Sequence, residues 1–236
     1  MNIQKIIQER YKENFSLHDR YLNSQMVKVL KTIGFDRHYV KAEGAYLYDE
    51  KGNRYLDLLS GFGVFALGRN HPVIVQALQD VLSIDLPNLV QLDVSILSGL
   101  LAEKLVSLSP KGLDRVFFAN SGTETIEAAI KFSRYATGKP KIIYCRGGYH
   151  GLSLGSLSAT GDTHYKEGFG PLVPDFIEIP FGDLSALEEA LSQRDVAAFI
   201  TEPIQGHGVW IPADDYLPKA AELVRHYGAL FIADEV

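Results

Sequence analysis

The chain has 236 residues, 46% of them hydrophobic, and a formal net charge of −6 at pH 7. That apolar content can fill a core, and the interspersed charges exclude the basic surface expected of a nucleic-acid or anionic-membrane partner. Cys145 is the single cysteine, so no intramolecular disulfide can form and no zinc or other metal site is expected. The polar N-terminus, unlike a secretory signal, and the lack of a long apolar run favour a soluble, cytoplasmic protein.

The predicted elements fall into two groups. Residues 1–72 are expected to form an N-terminal segment of helices followed by a hairpin, with strands at 46–49 and 54–58 around a Gly-Asn turn. Residues 73–236 are expected to form the first, incomplete part of a larger domain. Its predicted elements are helices at about 72–83, 95–108, 122–133, 183–193 and 216–227, and strands at 116–118, 141–145, 176–179, 196–201 and 229–233.

From about residue 115 the predicted strands and helices alternate. The strands are apolar runs without a clean two-residue alternation, which indicates burial on both faces. We therefore predict an α/β fold with a mostly parallel sheet and helices on both faces.

One stretch combines a strand, a small polar turn and a helix start. Ser121 and Glu124 have the spacing of a capping box, so a helix is expected to begin there. Gly122 has no side chain, and a ligand can approach its backbone closely. The free N–H groups of such a helix start attract phosphate. An ordinary capped helix without a ligand is the alternative.

Polar or aromatic side chains follow four predicted strands. In an open parallel sheet, ligands bind beyond the carboxyl ends of the strands, so these side chains are expected at one edge. Each also has a structural interpretation, as a sheet cap, a buried histidine, a turn residue or a helix cap. The residues are Ser121, Gly122 and Thr123 after the first strand, Tyr149 and His150 after the second, Glu202 after the third, and Asp234 after the fourth.

The motifs of other phosphate-binding and hydrolytic sites are absent from the sequence. There is no G-x-G-x-x-G after a strand, no G-x-x-x-x-G-K-[ST] and no G-x-S-x-G. A phosphate-binding helix start, an aromatic platform and a carboxylate at a strand end together suit a phosphorylated aromatic cation. Pyridoxal phosphate is such a ligand, and an aspartate keeps its pyridine nitrogen protonated.

Five motifs resemble those of the class III aminotransferases, which are pyridoxal phosphate enzymes of fold type I. The resemblance covers about residue 40 to the last residue. Residues 61–65 and 180–184 favour the putrescine aminotransferase branch over the ornithine and acetylornithine branches. The motifs are residues 43–57, Ser121-Gly122-Thr123-Glu124 with 127–131, Tyr149-His150-Gly151, Thr201-Glu202-Pro203-Ile204-Gln205-Gly206, and Ala233-Asp234-Glu235-Val236.

The resemblance implies a role for each matching position. Ser121, Gly122 and Thr123 would bind the cofactor phosphate, and Asp234 would pair with the pyridine nitrogen. The remaining implied roles are ring stacking for Tyr149 with His150 beside it, a place on the substrate side of the ring for Glu202, and the lining of the substrate entrance for Phe62 and Gly63.

The family's Schiff-base lysine has no counterpart in residues 1–236. In the family it follows a further strand beyond the aspartate, so the chain is expected to be the N-terminal portion of a longer enzyme. Lys131, Lys139 and Lys141 lie on a helix, a turn and a strand start, where a Schiff-base role is not expected.

The resemblance implies transamination between an ω-amino acid or diamine and a 2-oxo acid such as 2-oxoglutarate, by a homodimer with active sites at the subunit interface. Three alternatives remain open. The chain could be a non-catalytic relative or interaction module, or part of a mutase or decarboxylase of the same fold. A nucleotide-binding α/β protein is the remotest of the three, because its phosphate motifs are missing.

Overall fold

A computed structural model describes residues 1–87, 90 and 92–236. The chain divides into two compact units, residues 1–95 and residues 96–236. The division predicted after residue 72 concerns the domains of the whole protein and stays a prediction.

The first unit contains helices and a small antiparallel sheet in the order β1-β2-β3. The predicted hairpin is present as β2 and β3, and β1 pairs with the outer side of β2, which the sequence analysis did not anticipate. The elements are α1 Ile3–Arg10, a 3₁₀ turn Tyr11–Glu13, α2 Asn14–Tyr21, α3 Ser24–Thr32, β1 Tyr39–Glu43, β2 Tyr46–Asp49, β3 Arg54–Leu56 and α4 Pro72–Leu82.

Asp49 organises the hairpin turn. Its Oδ1 accepts the backbone N–H groups of Lys51 and Asn53, each at 2.9 Å, and its Oδ2 accepts from the Asn53 side chain and the Tyr55 hydroxyl. The hydrogen bond from the Asn53 side chain is the largest cause that lowers the pKa of Asp49 to about 2. Gly52 completes the turn at φ +81°, a conformation that favours glycine.

The second unit is a four-stranded parallel sheet in the order β5-β4-β6-β7 with helices against it. The α/β fold and its mostly parallel sheet are therefore confirmed. The elements are α5 Ile96–Leu108, α6 Gly122–Thr137, β4 Lys141–Cys145, α7 Leu154–Ala159, a 3₁₀ turn Thr163–Lys166, β5 Phe176–Ile179, α8 Leu184–Leu191, β6 Val196–Thr201, α9 Tyr216–His226 and β7 Leu230–Ala233.

Both faces of the central strands β4 and β6 are buried. Along β4, Ile143 and Cys145 face a core shared with α8 and α9, whereas Ile142 and Tyr144 face a second core shared with α6 and α7. The strand β4 thus sends alternate apolar side chains into two separate cores. This is why the strand sequences show apolar runs instead of alternation, and why the carboxyl ends of the strands are left to carry the polar residues.

Two local predictions differ from the structure, and one short helix was not expected. Residues 116–118 are not a strand: they pair with no strand in the described part of the chain, and Phe117 is 59% exposed. The single helix expected over 19–33 is interrupted because Asn23 caps a new helix, accepting the N–H of Met26 at 2.9 Å. The short helix α7 was not predicted.

Among the described residues, no helix has both the length and the apolarity to cross a bilayer.

Candidate cofactor site

Ser121 caps the start of α6 as predicted, although Glu124 reaches back to the N–H of Asn120 and not to that of Ser121 as in a regular capping box. Ser121 Oγ accepts the N–H of Glu124 at 3.4 Å, and the Glu124 carboxylate accepts the N–H of Asn120 at 2.7 Å. Neither the Gly122 N–H nor the Thr123 N–H has a hydrogen-bond partner within residues 1–87, 90 and 92–236. Two free N–H groups at the positive end of a 16-residue helix can hold an anion.

The turn after β4 packs against this helix start. The side chain of Thr123 lies so near residue 151 that a Cβ built on Gly151 would come within 2.5 Å of Thr123 Oγ1. Gly151 also has φ +117°, so glycine is required there for two independent reasons. The turn bearing Tyr149 and His150 is thereby fixed next to the free N–H groups of α6.

Tyr149 presents an accessible ring at this edge. Its side chain is 39% exposed, and the ring of Tyr165 packs against it in a T-shaped arrangement with centroids 5.2 Å apart. The backbone N–H of Tyr149 donates to Glu202 Oε2 at 3.0 Å. Part of Tyr149 therefore stays accessible to solvent beside its ring contact with Tyr165.

His150 and Asp234 meet at the carboxyl ends of β4 and β7. His150 Nδ1 lies 2.8 Å from Asp234 Oδ2, and both side chains are buried. His150 Nε2 is buried without a hydrogen-bond partner in the described part of the chain. The backbone N–H of Asp234 donates to the carbonyl of Thr201 at the end of β6, which fixes the carboxylate relative to the sheet.

The residues after β7 also reach the start of α6. A Cβ built on Gly122 would lie 3.8 Å from Val236 Cγ2. Together with the contacts above, this brings Ser121, Gly122, Thr123, Tyr149, His150, Glu202 and Asp234 to one edge of the second unit.

Glu202 joins two loops at this edge. It is only 9% exposed, and its two carboxylate oxygens accept the backbone N–H groups of Tyr149 and Gly206, each at 3.0 Å. Gln205, for which the sequence analysis proposed no role, is buried as well, and its Nε2 donates to the carbonyl of Arg146 at 2.9 Å. The expected place of Glu202 on the substrate side stays a prediction.

Phe62 and Gly63 belong to the first unit. They lie in the glycine-rich loop after β3, both at positive φ, and the Phe62 side chain is 88% exposed. Their predicted role at the substrate entrance stays a prediction.

The three lysines that the sequence analysis considered as Schiff-base candidates lie elsewhere on the second unit. Lys141 begins β4, at the opposite end of the strand from His150, and pairs with Asp195. Lys139 donates to the carbonyls of Tyr227 and Gly228, just after α9. Lys131 is exposed on α6. None of them contacts the side chains at the carboxyl edge.

The residues at this edge match the chemical groups of pyridoxal phosphate. Free N–H groups suit the phosphate, an accessible tyrosine ring suits the pyridine face, and a buried carboxylate held by histidine suits a protonated ring nitrogen. Within the described ranges, no three His, Cys, Asp or Glu side chains are grouped so that they could hold a metal ion.

Comparison with known protein families identifies the chain's relatives. Residues 31–236 match the family model described as Aminotransferase class-III. The chain belongs to the class III aminotransferases. This confirms the resemblance found in the sequence, and pyridoxal phosphate is the cofactor to which the family points.

Three curated relatives illustrate the family. The chain is 39% identical over 221 residues to Aminotransferase PigE from Serratia sp., covering 93% of the chain and 26% of PigE. It is 43% identical over 200 residues to acetylornithine aminotransferase from Methanopyrus kandleri, covering 84% of the chain and 50% of that enzyme. It is 43% identical over 199 residues to putrescine aminotransferase from Pectobacterium atrosepticum, covering 80% of the chain and 42% of that enzyme.

Solved structures agree with this classification. Ornithine aminotransferase from Toxoplasma gondii aligns with a TM-score of 0.86 at 29% identity, over 99% of this chain and 56% of that one. Taurine:2-oxoglutarate aminotransferase from Bifidobacterium kashiwanohense, solved in complex with PLP and glutamate, aligns with a TM-score of 0.79 at 28% identity, over 94% of this chain and 55% of that one. The chain thus spans about half the length of these aminotransferases, and the fold type I assignment is confirmed.

Proposed function

We propose that the protein takes part in pyridoxal phosphate-dependent transamination between an ω-amino acid or diamine and a 2-oxo acid such as 2-oxoglutarate. Relatives named for acetylornithine and putrescine support a donor with a terminal amino group. A structural relative named for taurine and 2-oxoglutarate supports the oxo-acid acceptor. A homodimer in the cytoplasm is part of this proposal.

The proposed cofactor contacts follow from the groups at the carboxyl edge of the second unit. The N–H groups of Gly122 and Thr123, with Ser121 beside them, would bind the phosphate, and the Tyr149 ring would stack on the pyridine. Asp234 would pair with the pyridine nitrogen and keep it protonated. When bound, the cofactor supplies an electron sink for the carbon that loses a proton.

One observation carries this proposal: the hydrogen bond between His150 Nδ1 and Asp234 Oδ2 beside the free N–H groups of α6. The histidine fixes the orientation of the carboxylate, and the helix start fixes where a phosphate can bind. A ligand that uses both must carry an anionic group and a basic ring nitrogen.

The substrate side of the site is proposed from the family resemblance. Glu202 would lie near the substrate side of the ring, and Phe62 and Gly63 would line the entrance. The contacts of Glu202 with two backbone N–H groups suggest that it acts there by positioning Tyr149.

Two other functions remain as alternatives. A non-catalytic relative would bind the cofactor without turnover. A mutase or decarboxylase would share the fold and the cofactor. The aminotransferase names of the relatives favour transamination over both.

The proposal is tested by titrating the purified protein with pyridoxal phosphate and following ligand fluorescence and absorbance. Pyridoxal and inorganic phosphate serve as partial ligands. Amine donors of different length are then assayed with 2-oxoglutarate and the full-length protein. Tight binding and transfer from a terminal amine would support the proposal. Binding without transfer would favour the non-catalytic relative, and no binding would refute the assignment.

A further inference from the structure

A cluster of four polar side chains lies directly behind the start of α6. Thr123 and Glu127 come from α6, one turn apart, and Ser153 and Ser156 come from the start of α7. Thr123 Oγ1 lies 2.7 Å from Ser153 Oγ and 2.5 Å from Ser156 Oγ, and it accepts the backbone N–H of Ser153 at 3.1 Å.

Glu127 anchors this cluster. Its Oε1 accepts the Ser153 hydroxyl at 2.6 Å, the Gly155 N–H at 2.7 Å and the Ser156 N–H at 3.2 Å. Glu127 therefore does two things: it satisfies N–H groups at the start of α7, and it fixes the hydroxyl of Ser153.

Two glycines leave room for the cluster. A Cβ built on Gly155 would lie 2.2 Å from Glu127 Oε2, and one on Gly151 would lie 2.5 Å from Thr123 Oγ1 and 2.9 Å from Ser156 Oγ. An alanine at either position would push these side chains apart. The close approach of Glu127 and Thr123 to α7 thus depends on both glycines.

The carboxylate sets the direction of the hydrogen bonds. A carboxylate can only accept, so Ser153 must give its one hydroxyl proton to Glu127. Ser153 Oγ and Thr123 Oγ1 lie 2.7 Å apart, which is a hydrogen-bond distance. Because the Ser153 proton is already donated to Glu127, Thr123 must be the donor in this hydrogen bond. The single hydroxyl proton of Thr123 is therefore used inside the cluster, and no proton on that oxygen remains for an anion at the start of α6.

We propose that Glu127 is a positioning residue for the phosphate site: through Ser153 it holds the Thr123 hydroxyl inward, so that Thr123 offers a phosphate its backbone N–H and not its side chain. This inference rests on the proposed function, because it takes the phosphate of pyridoxal phosphate as the ligand. It assigns Thr123 a different contact from the direct hydroxyl donation that a threonine beside a phosphate suggests.

A purely structural role for Glu127 is the competing explanation. In that case Glu127 would only cap α7, and loss of the carboxylate would destabilise the second unit without a specific effect on phosphate. Ser153→Ala separates the two explanations, since it breaks the link from Glu127 to Thr123 while leaving the Gly155 and Ser156 N–H groups bonded to Glu127.

The test measures dissociation constants for pyridoxal phosphate and for pyridoxal in the purified protein, together with the ³¹P chemical shift of the bound phosphate. The variants are Glu127→Ala, Glu127→Gln, Ser153→Ala and Thr123→Val, with the exposed Glu103→Ala as control. Far-ultraviolet circular dichroism confirms that each variant is folded.

We expect Glu127→Ala and Ser153→Ala to weaken pyridoxal phosphate binding about tenfold and to shift the ³¹P resonance, with pyridoxal affinity unchanged. Glu127→Gln should restore most of the affinity, because its amide oxygen can accept the same three hydrogen bonds. The double variant Thr123→Val with Ser153→Ala should bind pyridoxal phosphate no more weakly than Thr123→Val alone, because both substitutions act through the Thr123 hydroxyl.

Three results would overturn the inference. Ser153→Ala could leave pyridoxal phosphate affinity and the ³¹P resonance unchanged. Thr123→Val and Ser153→Ala could have additive effects on that affinity, or the binding of pyridoxal and of pyridoxal phosphate could be weakened equally. If Glu127→Ala does not fold, the Ser153→Ala and Thr123→Val variants alone test the inference. A wild-type protein that binds no pyridoxal phosphate would instead refute the proposed function itself.

Discussion

His150 and Asp234 connect two strands that are not neighbours. His150 follows β4 and Asp234 follows β7, with β6 between them, yet Nδ1 and Oδ2 are 2.8 Å apart. Residues 84 positions apart thus define the point at the carboxyl edge where a basic ring nitrogen can be held.

Asp234→Asn tests this point. The amide keeps the shape of the side chain but cannot balance a positive charge on the pyridine nitrogen, so transamination should fall about a hundredfold or more. Steady-state kinetics of the full-length enzyme, with Asp214→Asn on the surface as control, measure the effect. Turnover at the wild-type rate would contradict the assignment of Asp234.

Glu202→Ala should destabilise the second unit. It leaves the N–H groups of Tyr149 and Gly206 without their buried acceptor, and each unpaired group costs about 1–3 kcal/mol. Urea unfolding measures the loss against the exposed Glu222→Ala. Quenching of tyrosine fluorescence by added cofactor should also weaken, since the Tyr149 backbone is no longer fixed. Equal midpoints for both variants would show that Glu202 does not join these loops.

Gly161 and Gly99 should respond to alanine with opposite signs. A Cβ on Gly161 would lie 2.2 Å from the Cys145 carbonyl oxygen and 2.6 Å from the Gly147 nitrogen, whereas one on Gly99 in α5 meets nothing within 4 Å. Gly161→Ala should therefore cost about 1–3 kcal/mol of unfolding free energy, and Gly99→Ala should gain about 0.5–1 kcal/mol. Chemical denaturation of both variants checks the difference. Similar changes in unfolding free energy for the two variants would mean that the turn after β4 can move to accommodate the added Cβ.

Cys145 should be unreactive towards thiol reagents while the protein is folded. It is 1% exposed, and burial raises the pKa of its thiol to about 11. A Thr201 hydroxyl lies 3.6 Å from its sulfur. Labelling at pH 8 should proceed only through unfolding, and a rate that matches an unfolded thiol would contradict this burial.

The raised pKa of Cys145 also affects stability at alkaline pH. An unfolded thiol ionises near pH 8.5, whereas the folded one stays protonated up to about pH 11. The contribution of the buried thiol is therefore fully present below about pH 8.5 and is lost as the pH rises towards 11. Unfolding midpoints of wild type and Cys145→Ala across this range should converge or cross as the pH rises, and parallel curves would exclude the effect.

Much of the fold was predictable because its causes are local. The apolar runs of β4 and β6 mark strands buried on both faces, those of β5 and β7 mark partly buried strands, and Ser121 with Glu124 marks the start of α6. Residues 116–118 do not form the expected strand, because a strand needs a hydrogen-bonded neighbour and residue types alone do not reveal one. The single helix expected over 19–33 does not form because Asn23, a strong N-cap, begins a new helix within that range.

The sequence by itself determined the family, the order of the elements and the residue types at each strand end, since motifs and periodicity are properties of short stretches. Only the tertiary structure decided which of these residues touch. It paired His150 with Asp234, used both oxygens of Glu202 on backbone N–H groups, and placed Glu127 behind Thr123. Such contacts arise from β-sheet order and from helices packed across it, which join residues that lie up to 84 positions apart.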